Sequence, residues 1–347
     1  MRAAGLMRFP DFLIAILGFV SATGLLAGCA TPTPLTYNSP LADFQARAEK
    51  GLSGFVGEVK PITQPVRLAY APFDNARITI ITIGEFFYGK EMIVRGRWRI
   101  KVDAAAKATG GGLDWSLVHA GLDVDQVMGK SQEKKVQDMI DEARRDFEAT
   151  KRRVREMKKK SPADNPPTTI AMGPGGEVTD SSMGFFYGLG LKKKTDASNV
   201  RRIRMGKNVL LTMLARTPKF PDAPVAAGDT LFRFDMGKIL NLKGDDGFLP
   251  GLDRMIASLF AAREDFQLIA RGLATVGGRR ALLATFSGGF GGKAKEGELA
   301  AELTGYLAID LATGLTLEGV LRTRSGGREA GKPAFTGDSF TRWETRL

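Results

Sequence analysis

Residues 91–102 read EMIVRGRWRIKV and carry the clearest periodicity in the chain. Apart from Gly96, the even positions from Met92 to Val102 are apolar, and the odd positions from Arg95 to Lys101 are all basic. A period of two sends successive side chains to opposite faces of a β-strand. This stretch therefore predicts a strand with one buried face and one solvated face.

The same alternation recurs after residue 66 in short segments that glycine and aspartate turns separate. Such segments favour hairpins, and so an antiparallel meandering sheet rather than βαβ units. The predicted fold is mainly β: a large curved antiparallel sheet or half-open barrel, built as one sheet or as two similar β units. The further predicted strands are 66–71, 77–83, 113–119, 168–172, 208–216, 229–236, 266–273, 279–286, 302–311, 315–324 and 338–345.

A long charged helix is predicted to interrupt the strands at residues 131–160. Apolar residues spaced alternately by four and three from Val136 to Met157 give it one buried stripe. A short apolar helix is predicted from Asp253 to Arg263. The predicted organisation is a first β unit at 39–207, which holds the helical insertion, and a second β unit at 208–347.

Composition excludes several classes of site. The 347 residues include one cysteine and one histidine, and Lys+Arg exceed Asp+Glu by 50 to 38. A single cysteine excludes an internal disulfide framework and multi-cysteine metal centres. A single histidine, His119, argues against zinc catalysis and histidine-dependent triads. No cofactor, metal site or catalytic residue set is expected.

The first 29 residues predict an export signal. Arg2 and Arg8 precede an apolar stretch that ends at Leu26-Ala27-Gly28-Cys29 and is at the short limit for a membrane span. These four residues resemble the lipobox of bacterial lipoproteins, with the chain's one cysteine at the required position. The resemblance implies removal of residues 1–28, acylation of Cys29 and a lipidated tether at 29–38. Ala30 resembles the pattern for sorting to the outer membrane, which implies anchoring at its periplasmic face.

Several glycines indicate a candidate ligand cavity, in addition to the lipobox. Gly96, Gly272, Gly305 and Gly319 fall in phase with the apolar residues of their predicted strands. Such glycines let a sheet bend and leave its concave face short of side chains. Either neighbours fill that space, or an apolar ligand occupies it. The ligand-cavity candidates are Gly96, Trp98, Gly272, Gly305 and Gly319.

A basic run ends the long predicted helix. It is either a solvated helix end or a surface for anionic lipid headgroups. Each Lys or Arg near such headgroups contributes about 1 kcal/mol of binding free energy. Nucleic acid as a partner conflicts with export. The anionic-surface candidates are Lys151, Arg152, Arg153, Arg155, Lys158, Lys159 and Lys160.

A lipobox followed by a bent antiparallel sheet and apolar helices resembles the lipoprotein-localisation factors, which are half-open barrels. That resemblance implies an acyl chain held in the concave face. We therefore expect a non-catalytic envelope lipoprotein that binds an apolar, lipid-like ligand or an envelope partner. The alternatives are a histidine-independent hydrolase of cell-wall or lipid substrates and a structural accessory lipoprotein of an envelope complex.

Replacing Cys29 tests the lipobox directly. Cys29→Ser removes the thiol that would be acylated, so the chain should carry no lipid and should persist as an uncleaved precursor. Metabolic labelling with a radioactive fatty acid and mass spectrometry of the membrane fraction measure both effects. Processing and membrane partition like those of the wild type would contradict the lipobox interpretation.

Overall fold

The computed structural model describes residues 50–110, 112–134, 168–173, 178–181, 220–234, 266–294, 297–329, 331 and 334–347, with scattered positions between 136 and 152. Across these residues the chain is mainly β, as predicted. The strands are β1 (Phe73–Tyr88), β2 (Glu91–Thr109), β3 (Gly112–Met128), β4 (Thr168–Met172), β5 (Val178–Ser181), β6 (Thr230–Phe234), β7 (Phe266–Val276), β8 (Arg279–Ser287), β9 (Gly289–Ala294), β10 (Gly297–Asp310), β11 (Thr316–Glu329) and β12 (Phe335–Arg346).

All of these strands belong to one antiparallel sheet. Its order is β5-β4-β3-β2-β1-β12-β11-β10-β8-β7-β6, and β9 pairs with β10 beyond the end of β8. The first five strands lie on one side and the last seven on the other, joined by the pairing of β1 with β12. Because the described end strands β5 and β6 do not pair with each other, this sheet is open.

Two stretches differ from their sequence-based predictions. Residues 66–71 are not a strand; they form part of an irregular segment that pairs only through the bridge between Val66 and Val225. None of the predicted strands includes residues 289–294, yet these form β9, whose six residues pair with the start of β10. Backbone hydrogen bonds alone form this ladder, so a strand there leaves little trace in the side-chain pattern.

The described positions between 134 and 152 are helical, within the predicted insertion. Ser131 begins this segment, because its hydroxyl accepts the backbone N–H of Glu133 at 3.1 Å. Val136 and Ile140, two members of the predicted apolar stripe, are 1% and 0% exposed. The rest of 131–160 and the predicted helix from Asp253 to Arg263 lie outside the described residues.

The main core lies on the inner face of the sheet, which is the face that carries Ile80, Leu307 and Trp343. Two irregular segments, residues 66–73 and 220–225, pack across this face. Their aromatic side chains join the two halves of the sheet. Tyr70 stacks on Phe220 with ring centroids 4.6 Å apart and meets Trp115 of β3 edge-on at 5.9 Å. One cluster thus includes residues from β4 at one side to β6 at the other.

A smaller cluster lies on the opposite, outer face of β7, β8, β10 and β11. A 3₁₀ turn, Gly51–Gly54, places Phe55 over this surface. The ring of Phe55 packs edge-on against Tyr306, with centroids 5.7 Å apart. The chain therefore covers part of the outer face before it crosses to the inner one.

The turn from β10 to β11 is held by a buried carboxylate. Asp310 is 1% exposed and accepts hydrogen bonds from Arg279 Nη2 at 2.7 Å and Thr313 Oγ1 at 2.6 Å. Gly314 in this turn has φ +73°, and a Cβ there would lie 2.8 Å from the carbonyl oxygen of Ala69. The turn is thereby packed against the 66–73 segment.

Acid should weaken this turn. Burial raises the pKa of Asp310, but the hydrogen bonds from Arg279 and Thr313 and the charge of Arg279 outweigh it, so the pKa lies below its ordinary value. A lowered folded-state pKa contributes stability above about pH 4, which is lost as the pH falls through the folded value. Asp310→Asn should cost about 2 kcal/mol at neutral pH and flatten this loss, measured by urea unfolding between about pH 7 and 3. Asp74→Asn, at an exposed position, is the control; an equal effect of both changes would contradict the assignment.

Candidate functional site: a furrow of small residues and an arginine groove

Beyond the packed core, a row of glycine and polar residues crosses the inner face. The strand register aligns Gln126 of β3 with Gly96 of β2, Gly96 with Gly84 of β1, Gly84 with Ser339 of β12, and Ser339 with Thr323 of β11. Neighbouring strands lie about 4.8 Å apart, so these five positions span roughly 19 Å. We call this row the furrow.

The rows on either side of the furrow contain both large and small residues. The row toward the core carries Trp98, Thr82, Thr341 and Leu321 in register, and Phe86 belongs to the row on the other side. The two threonine hydroxyls lie 3.1 Å apart in a buried hydrogen bond, so they satisfy each other. Phe86 is 2% exposed. The furrow is therefore bordered by the buried Thr82–Thr341 pair on the core side and by Phe86 on the other side.

The residues of the furrow differ in their exposure to solvent. Gly96 is buried, whereas Gly84, Gln126 and Thr323 are partly exposed. Of the predicted ligand-cavity candidates, Gly96 lies in the furrow, and the backbone of Trp98 lies in the row beside it. Gly305 of β10 continues the row of Trp98 through Leu321.

Gly305 and Gly319 do not border open space. Gly305 has φ +145°, and a Cβ there would lie 2.0 Å from the carbonyl oxygen of Val320, so close backbone approach requires this glycine. At Gly319 a Cβ would lie 2.5 Å from Cδ2 of Leu307 and 3.6 Å from Cβ of Trp343. Core side chains thus occupy the space that Gly319 leaves.

Gly272 lies on the outer face, unlike its predicted phase. A β-bulge between Ala270 and Gly272 shifts the register, so that Gly272 pairs with Leu283 of the outer cluster. A Cβ there would lie 2.7 Å from Val59 and 2.9 Å from the carbonyl oxygen of Lys60, because the chain crosses β7 at this point. A single inserted residue reverses every later side chain of a strand, and a fixed period of two cannot anticipate it.

The outer face of the long strands carries opposite charges in adjacent strands. The guanidinium of Arg77 donates to both carboxylate oxygens of Asp103, at 2.7 and 3.1 Å. Arg95 donates to Glu85 at 2.8 Å. Ion pairs therefore join β1 and β2 on the outer face, and one of them holds Arg95 of the basic alternation.

A groove of about 380 Å³ opens on the outer face of β10 and β11, lined by Glu302, Thr304, Arg322 and Arg324. Glu302 pairs in register with Arg324, and Thr304 with Arg322. We call this the arginine groove. The sequence analysis missed it, although β10 and β11 were both predicted, because only the register shows which charges face each other.

Other predicted features either bring no site together or lie elsewhere. Among the described residues, no three His, Cys, Asp or Glu side chains are grouped as metal ligands. None of the described helical segments is both long and apolar enough to cross a bilayer. The backbone of His119 in β3 lies in register with Val102 of β2. Cys29, the tether at 29–38 and the basic run lie outside the described residues, except Arg152, which is helical and exposed.

Comparison with known proteins gave little. No family model matches the chain, and no curated protein matches it. Among solved structures it is similar to one described as "Lipid-protein interactions in lipovitellin", with a TM-score of 0.38 and 6% identity. The match covers 80% of this chain and 25% of the lipovitellin chain, so this chain spans about a quarter of that protein's length. A likeness this weak carries no functional inference.

Gly319 and Gly326, both in β11, should respond differently to an added methyl group. Gly319→Ala should destabilise the protein by about 1–3 kcal/mol, because the methyl group meets Leu307. Gly326→Ala should be neutral or slightly stabilising, because its nearest neighbour lies at 3.5 Å. Thermal unfolding of both variants, and rescue of Gly319→Ala by Leu307→Val, measure this difference. Tolerance of Gly319→Ala would show that Leu307 does not fill the space.

Proposed function

We propose that this chain is a lipid-anchored, non-catalytic envelope protein that binds an apolar, lipid-like ligand along the furrow. The anchor is acylated Cys29, and the location is the periplasmic face of the outer membrane. The lipobox resemblance supports the anchor and the location. The furrow supports the ligand.

One observation carries the ligand proposal. Five adjacent strands contribute to one row of the inner face, in which Gly96, Gly84, Ser339 and Thr323 are small and Gln126 lies at one end. A strip of this kind offers an extended ligand a continuous path perpendicular to the strands. Its length of roughly 19 Å suits an extended acyl chain rather than a compact metabolite.

The surroundings of the furrow favour an apolar ligand over a polar one. The Thr82 and Thr341 hydroxyls beside it share one buried hydrogen bond, and Phe86 on its other side stacks on Phe335 with centroids 6.0 Å apart. Ser339 and Thr323 contribute only short side chains. Burial of a hydrocarbon chain against this strip contributes roughly 25 cal/mol for each Å² of apolar surface removed from water.

Narrowing the furrow tests the proposal. Gly84→Val and Thr323→Leu place bulk at two partly exposed positions on different strands, so a folding defect at one site leaves the other informative. Both variants should bind a fluorescent long-chain fatty acid at least about tenfold more weakly than the wild type. Solvent extraction and mass spectrometry of the purified mature protein should release non-covalent lipid, and the covalent Cys29 acyl group stays with the chain.

The matched control is Thr79→Leu, which adds a similar side chain to β1 on its outer face, opposite Lys101 and Glu344. It should bind the fatty acid like the wild type. Unchanged binding in both furrow variants, or a wild-type protein that neither yields extractable lipid nor binds the probe, would refute the ligand proposal. The acylation of Cys29 is measured separately, so a negative result for the ligand does not contradict the anchor.

A further inference from the structure

The two arginines of the arginine groove are held to different degrees. Arg322 donates from Nε to Asp338 Oδ1 at 3.0 Å and from Nη2 to Oδ2 at 2.5 Å. Its guanidinium lies over the ring of Phe340, 5.0 Å from the centroid, and the side chain is only 11% exposed. Arg322 is therefore fixed in place, and its charge is largely matched by Asp338.

Arg324 has a looser hold on the same carboxylate. Its Nε lies 3.9 Å from Asp338 Oδ2, beyond hydrogen-bond distance, and its side chain is 54% exposed. One carboxylate thus serves two guanidinium groups, and Arg324 keeps donors for a further acceptor. The hydroxyl of Thr304 lines the same space.

A negative charge stands across the groove. Glu302 is exposed and pairs in register with Arg324. The four charged residues at the groove, Glu302, Arg322, Arg324 and Asp338, sum to zero, and Arg324 lies in register between Glu302 of β10 and Asp338 of β12. A site with this dipolar arrangement matches a ligand that carries both signs of charge.

We propose that the arginine groove binds a phosphoethanolamine group. Its phosphate would accept hydrogen bonds from the Arg324 guanidinium and the Thr304 hydroxyl, and its ammonium would donate to the Glu302 carboxylate. Arginine recognises phosphate through charge-assisted hydrogen bonds. Because Glu302 repels a bare anion, the same geometry disfavours inorganic phosphate.

The groove lies close to the N-terminal part of the chain, which the proposed anchor would hold at a bilayer. Thr304 lies two residues along β10 from Tyr306, the residue against which Phe55 packs, so the groove adjoins the place where the N-terminal part of the chain reaches the outer face. If acylated Cys29 anchors that end, this groove lies on the face where the anchored segment docks. This step rests on the proposed function; binding of the phosphoethanolamine group itself does not.

Soluble probes test the binding. Glycerophosphoethanolamine should bind the mature protein saturably in calorimetric titration, and inorganic phosphate should bind at least about tenfold more weakly. Arg324→Gln should weaken glycerophosphoethanolamine binding at least about tenfold. Glu302→Gln should weaken glycerophosphoethanolamine but strengthen inorganic phosphate, since it removes both the ammonium acceptor and the repulsion.

The matched control is Arg328→Gln, an exposed arginine on the same strand and face that pairs with Glu298 outside the groove. It should leave both affinities unchanged. The absence of saturable glycerophosphoethanolamine binding, or a Glu302→Gln change of the same sign for both probes, would overturn the proposal. Because Gly84→Val lies on the inner face, it should not alter this binding, which separates failure here from failure of the furrow.

Vesicles distinguish the two sources of the ligand. Phosphatidylethanolamine vesicles that retain the protein in an Arg324-dependent manner would assign the site to a membrane headgroup. Binding of glycerophosphoethanolamine without such retention would assign it to a soluble ligand. Phosphatidylcholine vesicles should bind more weakly, because a quaternary ammonium offers Glu302 no hydrogen bond. Equal, Arg324-independent retention by both kinds of vesicle would argue against the headgroup assignment.

Discussion

The described sheet depends on the pairing of its first and last strands. β1 and β12 are aligned from Arg77 with Arg346 to Tyr88 with Phe335, and the buried Thr82–Thr341 hydrogen bond joins residues 259 positions apart. Without this ladder, β1–β5 and the later strands would form separate sheets. The furrow would also be divided, because its floor crosses from Gly84 to Ser339 at this seam. A contact between residues so distant in sequence carries a large loop-closure cost and is formed slowly.

The inner face of the two halves is covered by two irregular segments. Residues 66–73 and 220–225 do this with Tyr70 and Phe220, and backbone hydrogen bonds between Val66 and Val225 hold the two segments together at 2.7 and 2.9 Å. The Asp310 turn fixes one of them through the 3.2 Å bond from the Ala71 N–H to the Thr313 carbonyl. The part of the inner face that carries Ile80, Leu307 and Trp343 is thus a closed core. Any ligand on this face must lie further along the strands, where the furrow is.

Strand alternation predicted the class of fold and most strands because a half-buried sheet imposes its period on the side chains. It predicted β4 at its observed bounds, 168–172, but for longer strands such as β1 the predicted range was shorter than the observed one. It failed where side chains do not determine the backbone, as at the β9 ladder, the bulge before Gly272 and the irregular 66–71 segment. It also failed to find either site as a set of residues. The furrow and the arginine groove exist only once Gly84 is aligned with Ser339 and Glu302 with Arg324, and register depends on distant pairing.

The same dependence on register decides which basic residues are open to a ligand. The arginines of β2 are the most conspicuous in the sequence, yet they stand opposite acids: Arg95 beside Glu85, and Arg97 and Arg99 in register with Asp125 and Asp123. A face neutralised pair by pair has little attraction for an anion beyond about a Debye length. At the arginine groove, by contrast, one carboxylate is shared by Arg322 and Arg324, which leaves positive charge on that side. Glu302 lies in register with Arg324 on the neighbouring strand, so the groove presents both signs of charge side by side.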